Sequence, residues 1–370
     1  MTSIGHARHT ADELQSRRAA GDPFPLVEPG RCTFAWEGPA ESVHLAHFGV
    51  GLPDDLRFDP VDDSKWWVLA LSVPNGSRLE YKLTVSDSWG ELMVEDPLNP
   101  NVASHPFGAN SVCEAWGYEQ PLWTRFADDV PRGTFRDVGL HSAALDRHVT
   151  TSVYVPANQR PAERTPLLVV HDGGDYLQYA AASTVLDNLI HGRVIPPTVA
   201  AFIHPVERLV EYADDPRHAA FVTDELVPAL EQQLPLLAAP AGRCLIGASF
   251  GAVASLAAAR RSPGFFGHLL LQSGSFTGAG VGCRRRQEAL WQPVRRFVEA
   301  YVAEPLRVAE RVAVTCGVYE SLICENRGLV PVLERTGMDV RFFESLDGHN
   351  WPSWRDSLGV ALPWLIEQRQ

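Results

Sequence analysis

With 370 residues, the chain is long enough for about two domains, and its 45% hydrophobic and 21% charged residues are typical of a globular protein. A formal net charge of −13 argues against nucleic acid and anionic membranes as partners, because their phosphates would repel the chain. No run approaches the roughly 18 apolar residues of a membrane helix, and the first residues lack the apolar segment of a signal peptide. We therefore expect a cytoplasmic protein that binds neither nucleic acid nor membranes.

Residues 1–125 predict a short helix followed by an all-β sandwich. Residues 10–20 are helical in composition, with Thr10 as N-cap and Glu13 three residues later, the pattern of a capping box. Turn residues then separate short runs with strand composition, which are Arg31–Trp36, Ser42–Phe48, Trp66–Val73 and Leu79–Val85. We expect the aromatic residues of this domain to lie in its core; these are Trp36, Trp66, Trp67 and Trp89.

After a linker-like stretch at 120–133, residues 132–370 predict an α/β domain. Apolar runs with strand composition alternate with helical stretches to the end of the chain. The runs are Leu167–Val170, Val199–Ile203, Cys244–Ile246, Leu269–Leu271, Val312–Thr315 and Val340–Phe343. This alternation predicts a mostly parallel sheet covered by helices, in which ligands bind at the C-terminal ends of the strands.

The six cysteines indicate neither a metal site nor a disulfide framework. They are scattered, and none forms a C-x-x-C pair. Cys244 and Cys316 lie in apolar runs, where reduced cysteine behaves as a small hydrophobic residue. We expect no disulfide, no metal and no organic cofactor.

Ser249 lies in the sequence Gly247–Gly251, which has the pattern G-x-S-x-G between an apolar run and an alanine-rich helical stretch. A sharp strand-to-helix turn at this point would expose the hydroxyl, and the flanking glycines would let the backbone crowd together. The pattern alone is weak evidence, because a structural serine in a tight turn would have the same residues. With a strand before it and a helix after it, we interpret Ser249 as a nucleophile.

His349 is the candidate base. Only His268 and His349 follow Ser249, and His268 opens an apolar run, which favours a packing role. His349 lies in a loop after the strand-like run 340–343 and before the terminal helix. A histidine at this position could take the serine proton and return it to the leaving group.

Three carboxylates compete for the role of the triad acid. Glu320 follows the apolar strand 312–315, so it too would emerge at a C-terminal strand end and could orient the imidazole of His349. Asp347 lies only two residues before His349, and Glu325 is a weaker third candidate. Because Asp347 is so close to His349 in the chain, we expect the two side chains to point apart on an extended loop, and we favour Glu320.

An oxyanion hole would supply two backbone N–H groups. One is expected from Phe250, the residue after the nucleophile. The other is expected from the loop after the strand 167–170, around Gly173 and Gly174, with the donor amide open between Gly174 and Asp175.

Five segments together resemble the esterase domain of the enterochelin (ferric enterobactin) esterases, in the esterase-D-like branch of the α/β-hydrolases. The segments are His171–Tyr176, Arg208–Tyr212, Asp224–Pro228, Gly247–Gly251 and Leu271–Phe276. The resemblance implies an α/β-hydrolase domain preceded by an immunoglobulin-like domain. It places the family's triad on Ser249, His349 and Glu320, and its oxyanion loop on Gly173 and Gly174.

The resemblance further implies a siderophore-type lactone or ester as substrate. Ferric enterobactin is a polyanion, so cations beside the nucleophile would help to bind it. Arg208 and Tyr176 lie in matched segments and are the candidate binding residues, and the run Arg284–Arg286 is a second cationic candidate.

We therefore expect a two-domain serine esterase that cleaves a small-molecule ester through an acyl-enzyme. A general acyl or hydroxycinnamoyl esterase and an acyltransferase would use the same triad. A catalytically inactive binding protein on the same fold is an alternative of another class.

Overall fold

The structure is a computed structural model that describes residues 3–5, 9–47, 55–157, 159, 163–280 and 289–367. The chain forms two compact units. The first contains Met1–Glu119 together with two short later segments, Gly317–Ser321 and Leu346–Asn350. The second contains Gln120–Cys316, Leu322–Ser345 and Trp351–Gln370. The sequence prediction assigned all of 132–370 to one domain, whereas the two short segments are grouped with the first unit.

The first unit begins with strand β1, which is followed by helix α1 (Ala11–Ala20). Up to Glu119, the regular elements among the described residues after α1 are all strands. The strands are β1 (Ser3–Gly5), β2 (Leu26–Glu28), β3 (Arg31–Glu37), β4 (Ser42–His47), β5 (Asp59–Pro60), β6 (Trp66–Ser72), β7 (Arg78–Asp87), β8 (Gly90–Val94), β9 (Val102–His105) and β10 (Gly108–Glu114). They form two five-stranded sheets. One has the order β1-β6-β3-β2 with β5 beside β6, and the other has the order β4-β7-β10-β9 with β8 beside β7.

Helix α1 confirms the predicted capping box. The Thr10 side chain accepts a hydrogen bond from the Glu13 N–H at 3.2 Å, and the Glu13 carboxylate accepts one from the Thr10 N–H at 3.0 Å. Two backbone donors at the start of the helix are thereby satisfied. Gly21 ends the helix at φ 80°, a conformation that favours glycine.

The two sheets of the first unit share an apolar core. Phe34 from β3 meets Tyr81 from β7 edge to face, with ring centroids 4.9 Å apart. Trp66 is buried as expected, but the prediction that Trp89 lies in the core is wrong, because it is 95% exposed. Trp89 lies in the short turn between β7 and β8, beyond the residues that pair in the sheet.

The second unit is built on one eight-stranded mixed sheet. Its strands are β11 (Thr134–Ser142), β12 (Arg147–Val155), β13 (Leu167–Val170), β14 (Val199–Phe202), β15 (Arg243–Ala248), β16 (His268–Gln272), β17 (Arg311–Gly317) and β18 (Asp339–Ser345), in the order β11-β12-β14-β13-β15-β16-β17-β18. The pairs from β14 to β17 are parallel, whereas β11 and β12 add antiparallel pairs at one edge. The predicted mostly parallel sheet is therefore confirmed.

Helices cover both faces of this sheet. They are α2 (Gly173–Gln178), α3 (Ala182–His191), α4 (Arg208–Glu211), α5 (Pro216–Ala220), α6 (Val227–Gln233), α7 (Phe250–Arg261), α8 (Gln292–Ala303), α9 (Ile323–Glu334) and α10 (Trp351–Leu365). A π-helical segment, Phe221–Leu226, joins α5 to α6. Alternate residues of each strand face two apolar clusters: Leu167 and Val169 pack with α7, and Leu168 and Val170 with α3 and α10.

The cysteines depart from the prediction at one position. Cys324 is disulfide-bonded, so the expectation of no disulfide is wrong. Disulfide bonding depends on the distance between residues in the fold, which sequence spacing does not give. Cys32, Cys113 and Cys244 are buried free thiols. Among the described residues, no helix combines the length and apolar composition needed to cross a bilayer.

Candidate active site

Ser249 forms a sharp turn between a strand and a helix. Strand β15 ends at Ala248, α7 begins at Phe250, and Ser249 between them has φ 57° and ψ −117°. A positive φ in a non-glycine residue typically costs about 1–3 kcal/mol and persists only where the surroundings impose it. The conformation is that of a nucleophile elbow, which lifts the serine out of the sheet.

The space around the two glycines of the motif differs, so a side chain would be tolerated differently at each position. A Cβ built on Gly247 would lie 2.1 Å from the carbonyl oxygen of Gly251, so the start of α7 could not pack against β15 with any side chain there. A Cβ on Gly251 would lie 3.2 Å from Cβ of His171 and 3.3 Å from Oδ2 of Asp172. Gly247 is therefore obligatory for this turn, whereas Gly251 sits in a tight but adjustable contact.

The last residue of β16 and the loop after it hold the backbone and hydroxyl of Ser249. Its N–H donates to the Gln272 carbonyl at 2.9 Å, and its carbonyl accepts from the Ser275 N–H at 3.1 Å. The hydroxyl of Ser249 lies 3.2 Å from that of Ser275. Sequence reasoning did not assign a role to Ser275, although it lies in one of the segments that carry the family resemblance.

The predicted oxyanion amides lie at two helix starts in the second unit. Phe250 is the first residue of α7 and Gly174 the second residue of α2, and the first N–H groups of a helix have no partner within the helix. The neighbouring N–H of Gly173 already donates to the Ile203 carbonyl at 2.8 Å. A Cβ on Gly173 would lie 2.4 Å from Cβ of Phe202, so this close approach requires glycine.

Glu320 and His349 lie in the first unit and are in direct contact. Oε2 of Glu320 is 2.8 Å from Nδ1 of His349, and Oε1 accepts from the Gly317 N–H at 2.7 Å. Glu320 is fully buried, whereas the His349 side chain is 35% exposed. A carboxylate at Nδ1 holds an imidazole in one tautomer and orientation.

Asp347, the rival acid, has other partners. Its Oδ1 accepts from the Gly348 N–H at 2.7 Å and from the Asn350 side chain at 2.8 Å. Arg78 lies 3.5 Å from the same oxygen. Burial raises the pKa of Asp347 to about 6, against the opposing charge of Arg78. Of the three acid candidates, Glu320 is the one that the structure pairs with His349; Glu325 is buried in the first turn of α9.

Arg208 is held beside the elbow by a buried carboxylate. Its Nε and Nη2 donate to the two oxygens of Asp172, each at 2.7 Å. Its guanidinium carbon lies 6.0 Å from the ring centroid of Phe250, the residue after Ser249. Burial opposes its charge, but the hydrogen bonds and charge of Asp172 more than offset this and raise its pKa. The second cationic candidate, Arg284–Arg286, lies outside the described residues.

Tyr176 is 1% exposed, and its hydroxyl donates to Oε1 of Gln272 at 2.5 Å. The Gln272 amide in turn donates to the Trp354 carbonyl at 2.9 Å and the Ser357 hydroxyl at 2.7 Å. Tyr176 is thus part of a buried network, and a ligand could reach its hydroxyl only by displacing Gln272.

A buried histidine pair behind the elbow was not anticipated from the sequence. Nε2 of His171 lies 3.0 Å from Nε2 of His218, and Nδ1 of His171 lies 3.1 Å from the Ser255 hydroxyl on α7. Burial, and then the charge of His218, lowers the pKa of His171, which keeps its imidazole neutral. His171 immediately precedes Asp172, so its two contacts tie α5 and α7 to the loop that follows β13. Among the described residues, no group of three His, Cys, Asp or Glu is arranged to hold a metal.

Sequence comparison identifies the family. The Esterase family model matches residues 142–365. The iron(III) enterobactin esterase of Dickeya dadantii is 33% identical over 354 residues, which are 90% of this chain and 74% of that protein. The iron(III) enterobactin esterase of Escherichia coli K12 is 26% identical over 310 residues, which are 79% and 72% of the two chains.

Solved structures share the fold. The ferric enterobactin esterase of Salmonella typhimurium matches with a TM-score of 0.76 at 20% identity, over 95% of this chain and 98% of that one. The enterobactin esterase of Shigella flexneri, solved in the presence of enterobactin, matches with a TM-score of 0.70 at 23% identity, over 90% and 92%. The family match, the relatives and the elbow together lead to one conclusion: the chain belongs to the Esterase family, in its enterochelin esterase branch, and is a carboxylic ester hydrolase.

Proposed function

We propose that the protein is a serine esterase that hydrolyses a siderophore-type ester, with Ser249 as nucleophile, His349 as base and Glu320 as the orienting acid. The observation that carries the proposal is the elbow conformation of Ser249. The contact between Glu320 and His349 gives independent support. All three residues follow strands of the same sheet, since Ser249 comes after β15, Glu320 after β17 and His349 after β18.

In the proposed mechanism, Oγ of Ser249 attacks the ester carbonyl while Nε2 of His349 takes the serine proton. The buried carboxylate of Glu320 holds the imidazole at Nδ1 and stabilises its positive form. The N–H groups of Phe250 and Gly174 bind the oxyanion of the tetrahedral intermediate. His349 then protonates the leaving alkoxide, which leaves an acyl-enzyme on Ser249. Water, activated by His349, hydrolyses this ester and releases the acid. The mechanism uses no metal or organic cofactor.

We assign a siderophore lactone or ester as the substrate class. The support comes from the named relatives, two of which are iron(III) enterobactin esterases that match over more than two thirds of their length. Arg208 adds a cation beside the elbow. Its pair with Asp172 uses Nε and Nη2, so Nη1 lies outside that pair and could meet an anionic substrate group. Direct substrate contact by Tyr176 stays a prediction without structural support.

Hydrolysis of ferric enterobactin, read by mass spectrometry of the products, tests the function. We expect trimeric lactone to be opened to its dihydroxybenzoyl-serine fragments, and Ser249→Ala to lower kcat by roughly 10⁴–10⁶. Ser262→Ala, at the far end of α7, is the matched serine control and should keep full activity.

Faster cleavage of feruloyl esters would favour a hydroxycinnamoyl esterase. Products that carry the acyl group on an added alcohol would indicate an acyltransferase, and binding without turnover would indicate an inactive protein.

Two finer assignments belong to the same proposal. We assign the first unit to an immunoglobulin-like sandwich, on the support of its two antiparallel sheets and their common core. We place the protein in the cytoplasm, where the buried free thiols Cys32, Cys113 and Cys244 would stay reduced. The Cys324 disulfide is unusual for that compartment. Fractionation of the native host tests the cytoplasmic assignment. Finding the protein in the periplasm or the medium would overturn it.

A further inference from the structure

Arg78, the first residue of β7, is a buried arginine in the first unit. It is only 4% exposed and has three polar partners at its Nη1: Oε1 of Glu80 at 3.0 Å, Oδ1 of Asn350 at 3.2 Å and Oδ1 of Asp347 at 3.5 Å. Burial opposes its charge, but Asp347 and Glu80 offset this and raise its pKa. Arg78 therefore stays charged and links a β-strand to residues on both sides of His349 in the chain.

The backbone of β7 holds the same segment. The Arg78 N–H donates to the carbonyl of Leu346 at 2.9 Å. Leu346 and Asp347 precede His349, and Asn350 follows it. Strand β7 thus fixes the ends of the five-residue segment Leu346–Asn350 by one backbone and two side-chain contacts.

The residue before Arg78 holds the other segment. The Ser77 hydroxyl lies 2.7 Å from the hydroxyl of Tyr319, next to Glu320. The Tyr319 N–H donates to the carbonyl of Asp347 at 3.1 Å. A Cβ on Gly317 would lie 2.2 Å from that same carbonyl oxygen. The segments that carry Glu320 and His349 are therefore packed against each other, and two adjacent residues, Ser77 and Arg78, hold them both.

We propose that Arg78, with Ser77 beside it, is a positioning residue that sets the Glu320–His349 pair for catalysis. The inference rests on the proposed function, because it requires His349 to be the base. Stability alone does not explain the arginine: a buried charge network often contributes no more than well-packed apolar residues of the same size. Placement does explain it, since a displacement of about 1 Å in a catalytic group can cost about 100-fold in rate.

The test compares two arginines, each paired with a carboxylate that is at most 14% exposed. Arg78→Met removes the partner of Asp347, Asn350 and Glu80. Arg243→Met removes the partner of Glu231 at the start of β15, roughly 20 Å along the strand from Ser249. We expect both variants to lose stability. For this reason kcat and KM are measured on a neutral aryl ester and normalised to the folded fraction from circular dichroism. We expect kcat of Arg78→Met to fall by about 10- to 100-fold with KM changed less than about threefold, and Arg243→Met to keep the wild-type kcat.

Two milder variants keep the test valid if Arg78→Met does not fold. Arg78→Lys retains the charge and should recover part of kcat. Asn350→Ala removes one partner of Arg78 without leaving a buried charge unpaired, and it should lower kcat by about 3- to 10-fold. Wild-type kcat per folded molecule in Arg78→Lys and Asn350→Ala, or equal losses in Arg78→Met and Arg243→Met, would overturn the inference. Full activity of Ser249→Ala would instead overturn the proposed function.

Discussion

The elbow at Ser249 and the Glu320–His349 pair are built in different ways. The elbow is local. Within the five residues Gly247–Gly251 a strand ends, the strained Ser249 turns the chain and a helix begins, and the two glycines allow the close packing. The proposed acid–base pair depends on side chains distant in sequence, since Arg78 and Ser77 hold segments that lie more than 200 residues further along the chain. The proposed nucleophile is therefore encoded in a short motif, whereas the placement of its proposed base depends on residues from distant parts of the chain.

The largest expected effect concerns the identity of the acid. Glu320→Gln should lower kcat by roughly 10²–10⁴, because the imidazole loses its orienting charge and can adopt the wrong tautomer. In Asp347→Asn the side-chain oxygen can still accept from the Gly348 N–H, so kcat should fall far less. Steady-state kinetics of the two variants side by side check this ranking. The reverse order would transfer the role of acid to Asp347, and near-wild-type rates in both would mean that His349 works without a carboxylate.

Substitution of the two glycines tests whether the elbow depends on close local packing. Gly247→Ala forces a Cβ to within 2.1 Å of a backbone oxygen, so we expect a loss of about 3 kcal/mol or more in unfolding free energy and of most activity. Gly251→Ala meets its neighbours at 3.2 Å or more and should cost about 1 kcal/mol or less. Urea denaturation of both variants measures the difference. Similar losses would show that Gly247 is not what allows the close turn.

A substitution at Arg208 tests whether a residue beside the elbow determines substrate specificity. Truncation to alanine would leave Asp172 buried and unpaired, so Arg208→Lys is the cleaner change, since it keeps the charge and loses the planar fork. We expect kcat/KM for a catecholate ester to fall by about 10- to 150-fold, the equivalent of one charge-assisted hydrogen bond. Cleavage of a small neutral ester should hardly change. Equal losses on both esters would make Arg208 a structural partner of Asp172.

The last prediction is a pH dependence of stability at Asp347. Its folded pKa of about 6 lies above the ordinary value of 3.8, because the residue is buried, although Arg78 acts in the opposite direction. Between these values the folded state binds more protons than the unfolded state, so this group's contribution to stability falls as pH rises from about 4 to 6. The difference in unfolding free energy between wild type and Asp347→Asn should shift by about 2–3 kcal/mol over that range. A difference that is constant with pH would contradict the raised pKa.

These contrasts explain what the sequence could and could not predict. The strand-to-helix turn at Ser249, the capping box at Thr10 and the mostly parallel sheet follow from local patterns, and the structure agrees with them. The burial of Tyr176 and the exposure of Trp89 depend on neighbours that no local pattern specifies. The roles of Arg78 and of the His171–His218 pair were not anticipated, because each joins residues that are far apart in the chain. The sequence favoured Glu320 over Asp347 from its place after a strand and from the short spacing between Asp347 and His349. Its contact with His349 could be seen only in the fold.

Covalent labelling tests the central claim most directly. The protein is treated with a fluorophosphonate probe, digested, and the modified peptide is identified by mass spectrometry. We predict stoichiometric labelling at Ser249, loss of esterase activity in proportion to labelling, and much slower labelling in His349→Ala, because the probe reacts only with a serine activated by its base. Labelling at another serine, or an active protein after Ser249 is fully modified, would contradict the account.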